Sequence, residues 1–233
     1  MLPLPEKYKV TLQIKGKTYT VYDYETLNVD HFACPVCFCS DRERLFALYL
    51  SSVCSAGTRK LSLIHFAPEK ALSRYLKRIN RFAYRTADLY MKNVQDSMDI
   101  TDLYAYAADS IDCFVCSHVL EHVIEDKKGL KELFRVLKPG GWGILMVPIL
   151  AGYSGAYENL AITNPQERLR HFGQEDHLRV YGKDGFIARV QNAGFEVHEY
   201  GSADFGKEVF SRAAIMENSI LYIVKKAAPL DCQ

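Results

Sequence analysis

The stretch Ser117-His118-Val119-Leu120-Glu121-His122 sets two histidines four residues apart around a glutamate, and a third, His177, follows Glu175-Asp176. Imidazole titrates near neutrality, so such residues can take a proton from a hydroxyl or ligate a metal. The spacing can place both rings on one helical face, a common metal pair. The order His-x-x-Glu-His, however, is not the His-Glu-x-x-His of zinc proteases. Carboxylates stand at Glu69, Asp88 and Asp99, each after an apolar or alternating run. Such acceptors suit a ligand with a diol and an exocyclic amine, because one carboxylate takes two hydrogen bonds. Thiols gather at Cys34, Cys37 and Cys39, where Cys-Pro-Val-Cys has zinc-knuckle spacing. Structural zinc wants four ligands, with His31 or Cys54 as candidates for the fourth. The favoured reading is a reduced, packed turn, with zinc the less favoured alternative.

The elements that must position these groups are legible from periodicity. Residues 8–24 alternate around Gly16 and read as a hairpin. Phe46, Tyr49, Leu50 and Val53 form a helical stripe. The apolar run LSLIHF is a strand, followed by a helix carrying Leu72, Tyr75, Leu76 and Ile79. FAYRTA ends a second strand at Asp88, and a short third ends near Asp99. SIDCFVCS is a buried strand, KKGLKELFRVLKPGG a helix stopped by Pro139-Gly140-Gly141, and WGILMVPI the next strand. Asn164-Pro165 opens a helix as N-cap and first turn. GKDGFIARVQNAGF is a helix closed by Gly194, and FEVHEY and ILYIVKK are two closing strands. This alternation predicts an open, doubly wound, Rossmann-like α/β sheet over 59–233, with 1–58 as a small extension (hairpin, CPVC turn, helix) packed on it. Ligands of such sheets bind outside the strands' carboxyl ends. The residues to inspect are therefore His65 to Glu69, Asp88, Asp99, and Ser117 to His122.

Composition narrows the classes. The chain has 233 residues, and 29 Lys+Arg against 28 Asp+Glu leave a net charge of +1. A nucleic-acid partner is not expected, since polyanion affinity comes mostly from a basic surplus. The stripe Lys70, Arg74, Lys77, Arg78 and Arg81 is read as a solvated helix face. The longest apolar stretch, 142–153, is interrupted by Gly143, Pro148 and Gly152, short of the ~18–20 residues of a membrane span. The N-terminus MLPLPEKYK lacks an apolar signal core. Seven cysteines, an odd number, read as reduced thiols in a cytoplasm. No G-x-G-x-x-G follows a strand, which disfavours a nicotinamide oxidoreductase.

The segment DITDLYAYAADSIDCFVCSHVLEHVIEDKKGLKELFRVLKPGGWGILMVP, residues 99–148, resembles the cofactor-binding half of the class I S-adenosylmethionine-dependent methyltransferases. It has their acid after strand three, their strand-four block ending in H-x-L-E-H, and their helix ending in LKPGG. CPVC with RxRL, HFAPE and FGQEDHLRVYG further resemble a bacterial subgroup of these enzymes. The resemblance implies that Asp88 takes the ribose hydroxyls, that Asp99 with Ile100 holds the adenine, and that Ser117 and His118 lie beside the methyl group. The family's acid-x-Gly-x-Gly loop is replaced by Ile64-His65-Phe66-Ala67-Pro68-Glu69, which contains no glycine. By position His65, Phe66, Ala67 and Glu69 are cofactor contacts, with Glu69 equally readable as an acid balancing the helix dipole. His118 is the first candidate for a catalytic base and His177 the second, while His122 is read as a structural helix residue. No catalytic metal is expected.

The expectation is a methyltransferase using S-adenosylmethionine, with S-adenosylhomocysteine as product, on a small polar acceptor; the subgroup points to sugar or capsule-type metabolites. The missing glycines favour a second reading, a non-catalytic methyltransferase-like binding or scaffold protein.

Overall fold

A computed structural model describes residues 1–55 and 58–228, so Cys232 lies outside the described residues. The hairpin comprises β1 (Thr11–Ile14) and β2 (Lys17–Thr20), with Gly16 at φ +78° in the turn. Helix α1 (Asp41–Ser55) leads into β3 (Leu61–Phe66), α2 (Lys70–Arg78), β4 (Phe82–Asp88), the two-residue β5 (Asp96–Ser97) and β6 (Ile111–Ser117). Then come α3 (Asp126–Val136), β7 (Leu137–Met146), β8 (Ala156–Glu158), α4 (Pro165–Phe172) and β9 (Arg179–Tyr181). The chain continues through α5 (Lys183–Asn192), β10 (Glu196–Tyr200), α6 (Ser202–Phe205), α7 (Lys207–Arg212) and β11 (Leu221–Lys225).

The main sheet has seven strands in the order β10-β11-β7-β6-β3-β4-β5. Pairs among β5, β4, β3, β6 and β7 are parallel. The last strand, β11, inserts antiparallel between β7 and β10, so the sheet is mixed rather than purely parallel. Chain order runs outward from β3 in one direction and from β6 in the other. The crevice between those two strands is therefore where a ligand belongs. Both are largely apolar because both sheet faces are covered, and β6 is buried at every position. Gly143 on β7 has a reason of its own: a Cβ there would stand 2.3 Å from the Phe114 ring on β6.

Helix α3 ends at Val136, before the Pro-Gly-Gly that the sequence pattern takes as its stop. Leu137 is extended and pairs with Ile111. Proline at 139 disfavours the helical region for the residue before it, so the chain leaves the helix early. Helix α4 begins as expected: the Asn164 side chain accepts from the Gln166 and Glu167 N–H groups, and Gly173 closes it at φ +88°. The hairpin packs Leu12, Ile14 and Tyr19 with Leu150, Phe172 and Val180 in a second small core, whereas Leu45, Phe46 and Leu50 of α1 join the main one. Among the described residues no helix is long and apolar enough to cross a membrane.

Asp112 pins the start of β6. It accepts from the Ser62 N–H at 2.9 Å and hydroxyl at 2.8 Å, from Arg59 at 2.8 Å and from Lys138 at 3.0 Å. Burial alone would raise its pKa, but these donors outweigh it and hold the carboxyl well below the usual range. A depressed folded-state pKa contributes stability above the unfolded value that is lost as pH falls. Asp112→Asn should therefore flatten the loss of stability between about pH 4 and pH 2. Urea unfolding across that window checks this, and an unchanged slope would contradict it.

Candidate active site

The carboxyl ends of β3, β4, β5 and β6 converge on a cleft of about 650 Å³, within the ~300–1,000 Å³ of small-molecule sites. Phe66, Ala67, Asp88, Asp99, Ile100 and His118 line it, as do the apolar Leu89 and Met98. Asp88 Oδ1 accepts from the N–H groups of Tyr90 and Met91, each at 2.7 Å. Asp99 Oδ1 accepts from Thr101 N–H at 2.8 Å. Each carboxylate thus shapes its own loop through one oxygen.

The loop after β3 departs from glycine but not from glycine's conformation. Ala67 sits at φ +46° and its N–H donates to the Ala87 carbonyl at 3.0 Å. A left-handed non-glycine residue is uncommon; here an alanine turns the chain where a glycine is expected. His65 and Glu69 do not reach the cleft lining. His65 is fully buried, with Nε2 2.7 Å from Glu69 Oε2 and Nδ1 3.0 Å from the Tyr84 hydroxyl. Burial pushes Glu69 up, but His65 and then Arg42, at 3.4 Å, outweigh it and its carboxyl lies below the ordinary range. Glu69 precedes α2 without making a side-chain cap; it is the centre of a His65–Glu69–Arg42 network behind the loop.

After β6 the backbone again enters the left-handed region, at His118 with φ +55°. Leu120–His122 form a 3₁₀ turn, so His118 and His122 do not share one helical face. His118 Nε2 lies 3.0 Å from Arg42 Nη1. A guanidinium only donates, so Nε2 is the acceptor and the ring proton sits on Nδ1, 3.6 Å from Glu121 Oε1. Burial and then Arg42 keep this imidazole well below its ordinary pKa, hence neutral. Ser117 is buried outside the residues that line the cleft, and its hydroxyl has no hydrogen-bond partner among the described residues.

His177 lies outside the cleft lining but against its wall. It is 3% exposed, Nδ1 is 3.1 Å from the Phe172 carbonyl, and its ring packs edge-on to His122 at 4.6 Å. Burial lowers its pKa to about 4 and pushes the Glu121 carboxyl up to about 8. Glu121, His122 and His177 bring one ligating atom each within 4.8 Å of one another. His122, read from the sequence as a structural helix residue, lines the cleft beside Asp176.

Sequence reasoning gave no role to Arg42, which meets His118 and Glu69, and none to Arg179. Arg179 is 2% exposed and donates to the carbonyls of Leu120 at 2.7 Å, Ile124 at 2.9 Å, and Val123. Its Nε meets Glu158 at 3.1 Å, and Asp126, 3.7 Å away, is also bound by Arg189 and by the Tyr181 hydroxyl. One guanidinium therefore holds the turn that carries Glu121 and His122. The Leu178 N–H donates to the Glu121 carbonyl at 2.9 Å and docks the same segment. The signal was present as period-two spacing of His177, Arg179 and Tyr181.

In the N-terminal segment the Cys34, Cys37 and Cys39 sulfurs lie within 4.8 Å of one another, Cys37 and Cys39 at 3.3 Å. Neither His31 nor Cys54 joins that group. Backbone N–H donors lower Cys34 to about 7, while burial raises Cys39 to about 12.

Comparison with known proteins agrees with this architecture. The methyltransferase-domain family profile matches residues 40–200, and the chain belongs to that family. A ubiquinone/menaquinone biosynthesis C-methyltransferase, UbiE, of Salmonella arizonae is 27% identical over 121 residues, 46% of this chain and 48% of that protein. The chain thus matches about half the length of such curated relatives. Among solved structures, 1,6-didemethyltoxoflavin-N1-methyltransferase of Burkholderia thailandensis, with bound 1,6-didemethyltoxoflavin and S-adenosylhomocysteine, is similar at TM-score 0.52. It shares 12% identity and covers 80% of this chain and 78% of its own. The [4+2]-cyclase SpnF is equally similar in fold, with TM-score 0.52, 13% identity, and 78% and 82% coverage. The shared fold therefore does not by itself fix the chemistry.

Proposed function

We propose that the chain is a class I methyltransferase that uses S-adenosylmethionine and methylates a small polar acceptor, in the subgroup marked by the CPVC and HFAPE segments. A sugar or capsule-type metabolite is the acceptor class that this subgroup resemblance favours. The observation that carries the reading is the cleft at the sheet's switch point, with Asp88, Asp99 with Ile100, and His118 at successive strand ends. Its composition fits an adenosyl ligand: carboxylates for the hydroxyls and amine, and Phe66, Leu89, Met98 and Ile100 as apolar surface.

When bound, the cofactor supplies an electrophilic methyl carbon on a sulfonium. The protein's share is positioning and proton management. Asp88 would take the ribose hydroxyls, and Asp99 and Ile100 the adenine. The left-handed turn at Ala67 would let backbone approach the cofactor in the place of a glycine. That geometry weakens the non-catalytic alternative, which rested on the missing glycines. His118, neutral and half-buried at the cleft wall, would accept the acceptor's proton at Nε2, displacing Arg42, which remains paired with Glu69. His177 stands one layer further back.

Asp99→Ala is expected to weaken S-adenosylhomocysteine binding by about 1–3 kcal/mol, the cost of leaving a buried partner unpaired. Calorimetric titration measures it; unchanged affinity would remove Asp99 from the site.

A further inference from the structure

The wall behind the cleft contains polar atoms that no described residue satisfies. Glu121 is 1% exposed, and neither of its carboxylate oxygens has a hydrogen-bond partner among the described residues. His177 Nε2 is buried and equally without a partner. Buried polar groups are normally hydrogen-bonded, and those that are not require an explanation. The nearby donors do not supply one: Arg42 binds His118 and Glu69, Arg179 is engaged with three carbonyls and Glu158, and His118 Nδ1 stands 3.6 Å from Glu121 Oε1, beyond hydrogen-bond range.

A second observation points to the same place. His122 adds a third donor, and the three ligating atoms lie within 4.8 Å of one another. Small side-chain rotations would bring them to the ~2.0–2.2 Å bonds of a first-row divalent ion. The outer groups suit that role as well. His177 Nδ1 donates to the Phe172 carbonyl at 3.1 Å, which fixes Nε2 as the bare nitrogen. Asp176 Oδ2 stands 3.3 Å from His122 Nδ1. Metal-binding histidines characteristically hand their other ring N–H to a carbonyl or carboxylate in this way.

We propose that Glu121, His122 and His177 hold one divalent first-row metal ion in the cleft wall, a two-imidazole, one-carboxylate site with open coordination positions. Because His122 and Asp176 line the cleft, an oxygen or nitrogen of the acceptor completes the coordination. That use of the ion rests on the methyl-transfer reading above; the binding of the ion does not.

The test uses the full chain, stripped with a chelator and titrated with Mn²⁺ or Co²⁺ alone. Hard or borderline ions favour imidazole and carboxylate over the cysteine cluster, which suits softer ones. The expected result is one Mn²⁺ per chain, and a Co²⁺ spectrum with ligand-field bands but no thiolate charge-transfer band. Glu121→Gln and His177→Gln should abolish Mn²⁺ binding. Asp176→Asn, at an exposed residue, should weaken it about 10–100-fold. Far-ultraviolet circular dichroism and a cooperative urea transition verify that the fold of each variant persists. Mn²⁺ binding that survives His177→Gln, a Co²⁺ spectrum dominated by thiolate, or no binding of either ion would overturn the proposal. Mn²⁺ binding by a chain that does not bind S-adenosylhomocysteine would leave the metal site standing and remove the methyl-transfer reading.

Discussion

Replacing Arg179 by methionine is expected to lower the free energy of unfolding by about 3–5 kcal/mol, the range for breaking a buried ionic cluster by removing one partner. The guanidinium satisfies the carbonyls of Leu120, Val123 and Ile124 and faces Asp126 and Glu158. Methionine fills much of the volume but donates nothing. The carbonyls of Val123 and Ile124 then lose this donor, Leu120 keeps the Val123 N–H and the Tyr181 hydroxyl, and Asp126 keeps Arg189, Tyr181 and the Lys127 N–H. Domains of this size hold ~5–15 kcal/mol in total, so the loss is a large fraction. Arg179→Lys keeps the charge without the planar fork and should recover little. Urea denaturation measures both. A loss below about 1 kcal/mol for Arg179→Met would mean that the turn is held by other contacts.

The second large effect is kinetic. With the true acceptor, His118→Asn should slow single turnover while leaving S-adenosylhomocysteine affinity nearly unchanged. General-base contributions run ~10²–10⁴-fold. The lower end applies here, because burial and Arg42 make His118 a weak base. Asparagine keeps a polar side chain but cannot take the proton. An unchanged single-turnover rate would remove His118 from the chemistry, and equal losses in rate and cofactor affinity would make it a wall residue.

Much of this was legible in the chain because its determinants are local. LSLIHF and SIDCFVCS are largely apolar runs, and a strand covered on both faces leaves that pattern. Asn164-Pro165 carries its own capping chemistry, and Asp88 and Asp99 followed from finding the strand ends. The antiparallel entry of β11 was not legible, since pairing direction depends on where the chain has already been laid down. Nor were α6 and α7, each too short to establish a hydrophobic period. The helical reading of His118 to His122 failed for a physical reason: His118 at φ +55° breaks the helix that the spacing suggested. The role of Arg179 was hidden because the carbonyls it binds lie more than fifty residues away. Its burial makes sense only once the post-β6 turn is known to need donors.

The most direct measurement of the central claim is a crystal structure of the chain with S-adenosylhomocysteine. The expected electron density lies in the cleft between β3 and β6, its ribose hydroxyls on Asp88, its adenine against Asp99 and Ile100, and its sulfur facing Ser117 and His118. A ligand seated elsewhere, or one in the cleft that leaves both carboxylates untouched, would contradict the account.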